Sequence, residues 1–136
     1  NAPFNARAEH TTVWTGSHLL IWGGSESGTP VNTGMCYEIA TDTWSPISTT
    51  NAPTPRYGHG AIWTGTEMIV FGGWNGGTFY SDAKSYNFAT DTWMTLPAMS
   101  YARRYPAYFY DPGSQKIYVA GGCTSAITCQ NTVESY

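Results

Sequence analysis

The five letters ATDTW occur twice, at Ala40–Trp44 and Ala89–Trp93, 49 residues apart in a chain of 136. A repeat of that period constrains the fold more than any local pattern, because each copy must be one supersecondary unit that buries its faces on its neighbours. The copies extend well beyond those letters. Gly-Gly pairs stand at Gly23-Gly24, Gly72-Gly73 and Gly121-Gly122, again 49 residues apart, and WTG stands at Trp14–Gly16 and Trp63–Gly65. Arg7, His10 and Tyr37 reappear as Arg56, His59 and Tyr86. Residues 7–50 laid on 56–99 agree at 15 of 44 positions without a gap, which identifies a tandem duplication. A third, looser copy starts at Arg104 as RYPAYFYDPGSQKIYVAGG. It reads with one extra residue in the turn DPGSQ, with Ala107 where histidine is expected, and with one more extra residue before Tyr136.

Within one period every signal is β. HTTVWTG and HGAIWTG are short stretches rich in β-branched and aromatic residues that end at a glycine turn. HLLIWGG, EMIVFGG and KIYVAGG follow at hairpin distance, and their nearly continuous apolar runs suit strands covered on both faces. A polar loop comes next (SESGTPVNTG or WNGGTFYSD), then a third strand around Tyr37, Tyr86 and Tyr136. ATD then turns the chain into a fourth strand, TWSPI or TWMTL, with Asp42 and Asp91 expected to open Asx-type turns. Four hairpin-linked strands per period, repeated in series, describe all-β propeller blades.

Taken together the motifs resemble the kelch-repeat β-propeller family over essentially the whole chain. A diglycine ends the second strand, a tyrosine follows thirteen residues on and a tryptophan seven further, as in Gly24, Tyr37, Trp44 and in Gly73, Tyr86, Trp93. In the third copy Tyr136 lies fourteen residues after Gly122. The resemblance implies that Gly23, Gly24, Tyr37, Trp44, Gly72, Gly73, Tyr86, Trp93, Gly121, Gly122 and Tyr136 pack inside blades. It implies a partial propeller of two and three-quarter four-stranded antiparallel blades, 7–50, 56–99 and an incomplete 104–136. Kelch rings close with about five to seven blades, so the outer faces of this arc would be bare and apolar. Two completions are expected: a dimer forming a six-blade ring, or further blades of a longer chain.

Composition narrows the partners. Only 11% of residues are charged, 15% are aromatic and the net charge is −3 with six basic residues, so no footprint for nucleic acid or an anionic membrane is present. No run approaches a membrane span of about 18 apolar residues, and NAPFNARAEH has no apolar signal region. The sequence as it stands is expected to be soluble, any export signal being absent or removed. Cys123 and Cys129 bracket CTSAITC in an expected loop. That spacing suits a disulfide staple, and no nearby histidine or further cysteine completes a zinc set; the alternative is two unrelated thiols. The disulfide would place the protein in an extracellular or periplasmic setting. Cys36 is expected to be a buried apolar residue.

In kelch propellers the loops joining strands two and three, and those joining blades, gather on one face, which the resemblance makes the binding surface. Trp74, Asn75, Phe79 and Tyr80 from the second blade's loop and Arg56, Tyr57, Tyr101, Arg103 and Arg104 from the links are the candidate binding residues. Trp74 leads because it directly follows the diglycine. The alternative for Phe79 and Tyr80 is to fold back over a blade edge. Repeated around a ring, His10 and His59 could bind a metal; the plainer reading is a histidine bonded between blades, and Ala107 breaks the series. No nucleophile-elbow, zinc-protease, P-loop or dinucleotide motif is present, and neither a metal nor a cofactor is expected. The favoured reading is a non-enzymatic module that binds a protein or glycan. The alternatives are a carbohydrate-active enzyme with a site assembled across the ring, or a structural repeat of a surface layer or fibre.

Overall fold

The structure, a computed structural model, describes residues 2–125 and 128–135. Three antiparallel sheets follow one another along the chain. The first joins β1 (Thr11–Trp14), β2 (His18–Trp22), β5 (Gly34–Glu38) and β6 (Thr43–Ile47) in that order. The second joins β7 (Gly60–Trp63), β8 (Glu67–Phe71), β9 (Ala83–Asn87) and β10 (Thr92–Leu96). The third joins β11 (Ala107–Asp111), β12 (Lys116–Ala120) and β13 (Val133–Ser135). Tyr136, assigned by sequence to the third copy's tyrosine, lies outside the described residues. The loop SESGTPVNTG holds a small hairpin of its own, β3 (Ser25–Glu26) with β4 (Thr29–Pro30). Ser27 (φ 50°) and Gly28 (φ 84°) make its two-residue turn with both φ positive, the geometry that suits the twist of a tight hairpin.

Alternation along each strand splits the apolar residues between two inter-blade cores. Val13, Leu20, Trp22, Cys36 and Ile47 of the first sheet meet Ala61, Met68, Val70, Tyr86 and Trp93 of the second. The other faces of β8 and β9 put Phe71 and Ala83 against Ile117 and Val119 of the third. This is why the second strands read as unbroken apolar runs: successive residues serve different neighbours. Burial of a large side chain contributes about 1.5–3 kcal/mol, so the middle blade is held from both sides and the terminal ones from one. Tyr86 and Trp93 are 2% and 4% exposed against the first blade. Their repeats Tyr37 and Trp44 face away from the second blade and are half-buried, with Phe4 against Trp44 at 5.3 Å. On the far side, Phe109 and Val133 are 59% and 70% exposed, Phe109 stacked on Tyr118 at 5.0 Å.

The diglycine is explained by conformation and by close approach. Both of its residues have positive φ in all three copies, at 66° and 94°, 65° and 98°, and 64° and 81°. A Cβ on Gly24 would come 2.6 Å from the Ala8 carbonyl oxygen, and one on Gly72 2.6 Å from that of Arg103. Into this tight corner each blade inserts an arginine. Arg7, Arg56 and Arg103 donate from Nη1 to the carbonyls of Gly23, Gly72 and Gly121 at 3.2, 2.9 and 2.8 Å. Their second nitrogens engage Glu26, Asp82 and Glu134. The backbones of the same arginines reach the preceding blade: Gly24 N donates to Arg56 O and Gly73 N to Arg103 O, at 2.9 and 2.8 Å. One residue thus ties two sheets together.

These contacts correct the sequence register of the third copy. The repeat of Arg56 is Arg103, not Arg104. The third blade's equivalent of His10 and His59 is therefore Pro106, and Ala107 matches Thr11 and Gly60 at the head of the first strand. Two residues, rather than one, are added in the turn, where Asp111 accepts from Gly113 N at 3.0 Å and from Ser114 N at 3.3 Å. The expected role of Asp42 and Asp91 changes as well. Both sit at positive φ (54° and 52°), and their carboxylates accept from the Tyr37 and Tyr86 hydroxyls at 2.8 and 2.7 Å. In the second blade Asn87 makes the Asx turn instead, accepting from Ala89 N and Thr90 N. The recurrence of Tyr with ATD is thus a side-chain bond spanning the turn.

Candidate functional site: the loop face

Three blade-entry segments meet at one end of the arc. Glu9, Gly58 and Tyr105 hold equivalent positions and share a left-handed backbone (φ 58°, 62° and 51°). Gly58 N donates to Glu9 O and Tyr105 N to Gly58 O, at 3.4 and 2.7 Å, which links the blades in series. Gly58 leaves room for the Tyr105 ring; a Cβ there would lie 2.7 Å from it. The Tyr105 hydroxyl closes the arc by donating to the Glu9 carboxylate. Desolvation of the phenol and that bond push its pKa up to about 12.

Beside the arc, each loop between second and third strands is pinned by one cross-strand pair at the same position. In the first blade the pair is Ser25 with Pro30, in the second Trp74 with Phe79, and in the third Cys123 with Cys129. Three chemistries serve one purpose: a two-strand hairpin, a ring stack at 5.7 Å and a disulfide. Trp74 is also joined to Tyr57 through both backbone bonds and an edge contact at 5.4 Å. The Arg104 guanidinium lies 4.6 Å from the centre of the Trp74 ring, 5.6 Å from Phe79 and 5.3 Å from Tyr105. Arg7, Arg56 and Arg103 have carboxylate partners. Arg104 meets none among the described residues. At the loop tip Asn75 Oδ1 accepts from Gly77 N and Thr78 N at 3.0 and 2.8 Å, and its Nδ2 donates to the Tyr80 hydroxyl at 2.7 Å.

The nine sequence candidates therefore divide by environment. Tyr57, Trp74, Phe79 and Arg104 form one cluster, and Asn75 crowns the loop. Tyr80 lies with its ring 4.0 Å from the Arg56 guanidinium, over that arginine's corner. Arg56 and Arg103 are 1% and 0% exposed. They were expected beside exposed aromatics, but the diglycine carbonyls and their carboxylates draw them inward. Tyr101 is exposed, 5.8 Å from the Arg103 guanidinium. Sequence reasoning missed Tyr105 and Glu9. The available signal was their shared position one residue before His10, His59 and Pro106, hidden by the register error.

His59 is buried between the first two blades, with Nε2 2.7 Å from Thr11 Oγ1 and its ring edge-on to Trp22 at 5.1 Å. Burial, then the Arg56 charge, lowers its pKa to about 3, so it packs as neutral imidazole. His10 is exposed. Among the described residues no group of three or more His, Cys, Asp or Glu side chains stands close enough to hold a metal ion.

The geometry can be set beside known proteins. A family model described as the KLHDC2/KLHL20/DRC7 Kelch-repeats domain matches residues 1–136. No curated protein matches the chain.

Proposed function

Since the chain belongs to the kelch-repeat family, whose domains mediate protein binding, we propose that it docks a protein partner on the loop face. The contact surface is formed by Tyr57, Trp74, Phe79, Arg104 and Tyr105. One observation carries the reading: Arg104 is held against Trp74 with no carboxylate partner among the described residues. Tryptophan, tyrosine and arginine are the residues that anchor protein interfaces, and a rigid surface loses little entropy on binding. The Cys123–Cys129 disulfide supports an oxidising compartment, extracellular or periplasmic.

The test is selection of peptides from a displayed library on the folded chain, followed by affinity measurement on a Trp74→Ala, Arg104→Ala double variant. Selected peptides should lose at least tenfold in affinity, about 1.4 kcal/mol. No enriched peptide, or peptides that bind the double variant equally well, would overturn the proposal.

A second observation favours ring completion. The half-buried Tyr37 and Trp44 repeat the residues by which the second blade docks on the first, and Phe109 and Val133 lie bare on the opposite face. We propose that these two faces receive further blades, from a second copy or from the rest of a longer chain.

A further inference from the structure

We propose that the loop of the second blade promotes conversion of its own Asn75 to aspartate and isoaspartate. The conversion depends on the loop's geometry and not on any partner. Asn75 is exposed and is followed by two glycines. The backbone nitrogen of Gly76 is the nucleophile, and it makes no hydrogen bond among the described residues. Nothing beyond its chain neighbours lies within 4 Å of where a Gly76 Cβ would stand, so no other residue crowds the glycine.

The amide itself is arranged as a substrate. Its oxygen accepts two backbone N–H bonds, from Gly77 at 3.0 Å and Thr78 at 2.8 Å. Charge gathers on that oxygen when nitrogen attacks, and fixed donors aimed at a developing oxyanion are an effective electrostatic device. The leaving nitrogen, Nδ2, lies 2.7 Å from the Tyr80 hydroxyl. That nitrogen is the donor in the resting amide; once attack at Cγ gives it a lone pair, the Tyr80 O–H can turn to it as a proton source.

The steps balance. Solvent base takes the Gly76 amide proton, and that nitrogen forms a bond to Cγ of Asn75. The tetrahedral oxyanion then collapses and the Cγ–Nδ2 bond breaks. Nδ2 departs as ammonia with a proton from Tyr80, which solvent water replaces. The resulting succinimide is opened by water at either carbonyl, giving aspartate or, with the chain rerouted through the side chain, isoaspartate. No oxidant or cofactor takes part. The product adds a negative charge next to Trp74, on the surface where Arg104 has no carboxylate partner among the described residues.

The experiment incubates the folded chain at mildly alkaline pH and maps peptides by mass spectrometry. Asn75 should show the one-dalton gain and become a substrate for isoaspartyl methyltransferase, ahead of Asn5, Asn32, Asn51, Asn87 and Asn131. Its rate in the folded chain should exceed its rate in urea. Tyr80→Phe, confirmed folded by circular dichroism, should slow the folded reaction several-fold and leave the reaction in urea unchanged. Conversion at Asn75 that is slower in the folded chain than in urea would overturn the proposal, because the fold would then protect the site. An unchanged rate in Tyr80→Phe would overturn it equally.

Discussion

Acidification should loosen the joint between the first two blades through His59. Its imidazole is buried and unprotonated, with a pKa of about 3 against an ordinary value near 6.5. The unfolded chain therefore binds a proton that the folded chain refuses across that interval. Where the unfolded state binds more protons, stability rises with pH, so this contribution is whole above about pH 6.5 and falls as pH drops toward 3. Each pKa unit corresponds to about 1.36 kcal/mol, which gives about 1 kcal/mol lost between pH 7 and 5.5 and about 2 kcal/mol by pH 5. The charges that face the ring, Arg56 and His10, both oppose protonation and add to this direction. The assay is urea denaturation at several pH values, comparing the native sequence with His59→Gln, which keeps a partner for the Thr11 hydroxyl but does not titrate. The native stability should fall by about 1 kcal/mol more than the variant's from pH 7 to 5.5. Parallel pH profiles would refute the reasoning, because His59 would then be accessible to protons in the folded state.

Other consequences follow from the same contacts. Arg103→Ala removes a fully buried guanidinium, leaves the part-buried Glu134 carboxylate with the Ser100 N–H alone and takes the side-chain donor from the Gly121 carbonyl, and should cost about 3 kcal/mol in a denaturation midpoint experiment. Trp93→Ala should cost about 3–5 kcal/mol, since Trp93 is buried and donates to the Ser48 carbonyl at 2.8 Å, whereas Trp44→Ala should cost less than half as much. Light scattering behind a sizing column should give a mass above that of one chain, because both end faces are apolar; a sharp monomer would contradict that.

How far the sequence led depends on what each residue's role requires. The blades were legible because strand periodicity, glycine turns and the Tyr–Trp spacing are local and repeat. The joint was not. Arg103 and Arg104 are adjacent and chemically alike, and only the hydrogen bond to Gly121 O shows which one is the repeat of Arg56. The carboxylates that pair with the clamp arginines come from different places, Glu26 in a loop hairpin, Asp82 before β9 and Glu134 within β13, so no motif marks them. Trp74 was singled out because it follows the diglycine. Its relation to Ser25 and Cys123 appears only once three unlike pairs are seen to close the same loop.

The proposed binding surface is the loop face and not the opposite turns. Hydrogen exchange on the chain with a selected peptide bound tests it most directly. Protection is expected at the backbone of residues 56–58, 73–80 and 103–105. Protection confined to the turns at 15–17, 64–66 and 89–91, on the far end of the blades, would contradict it.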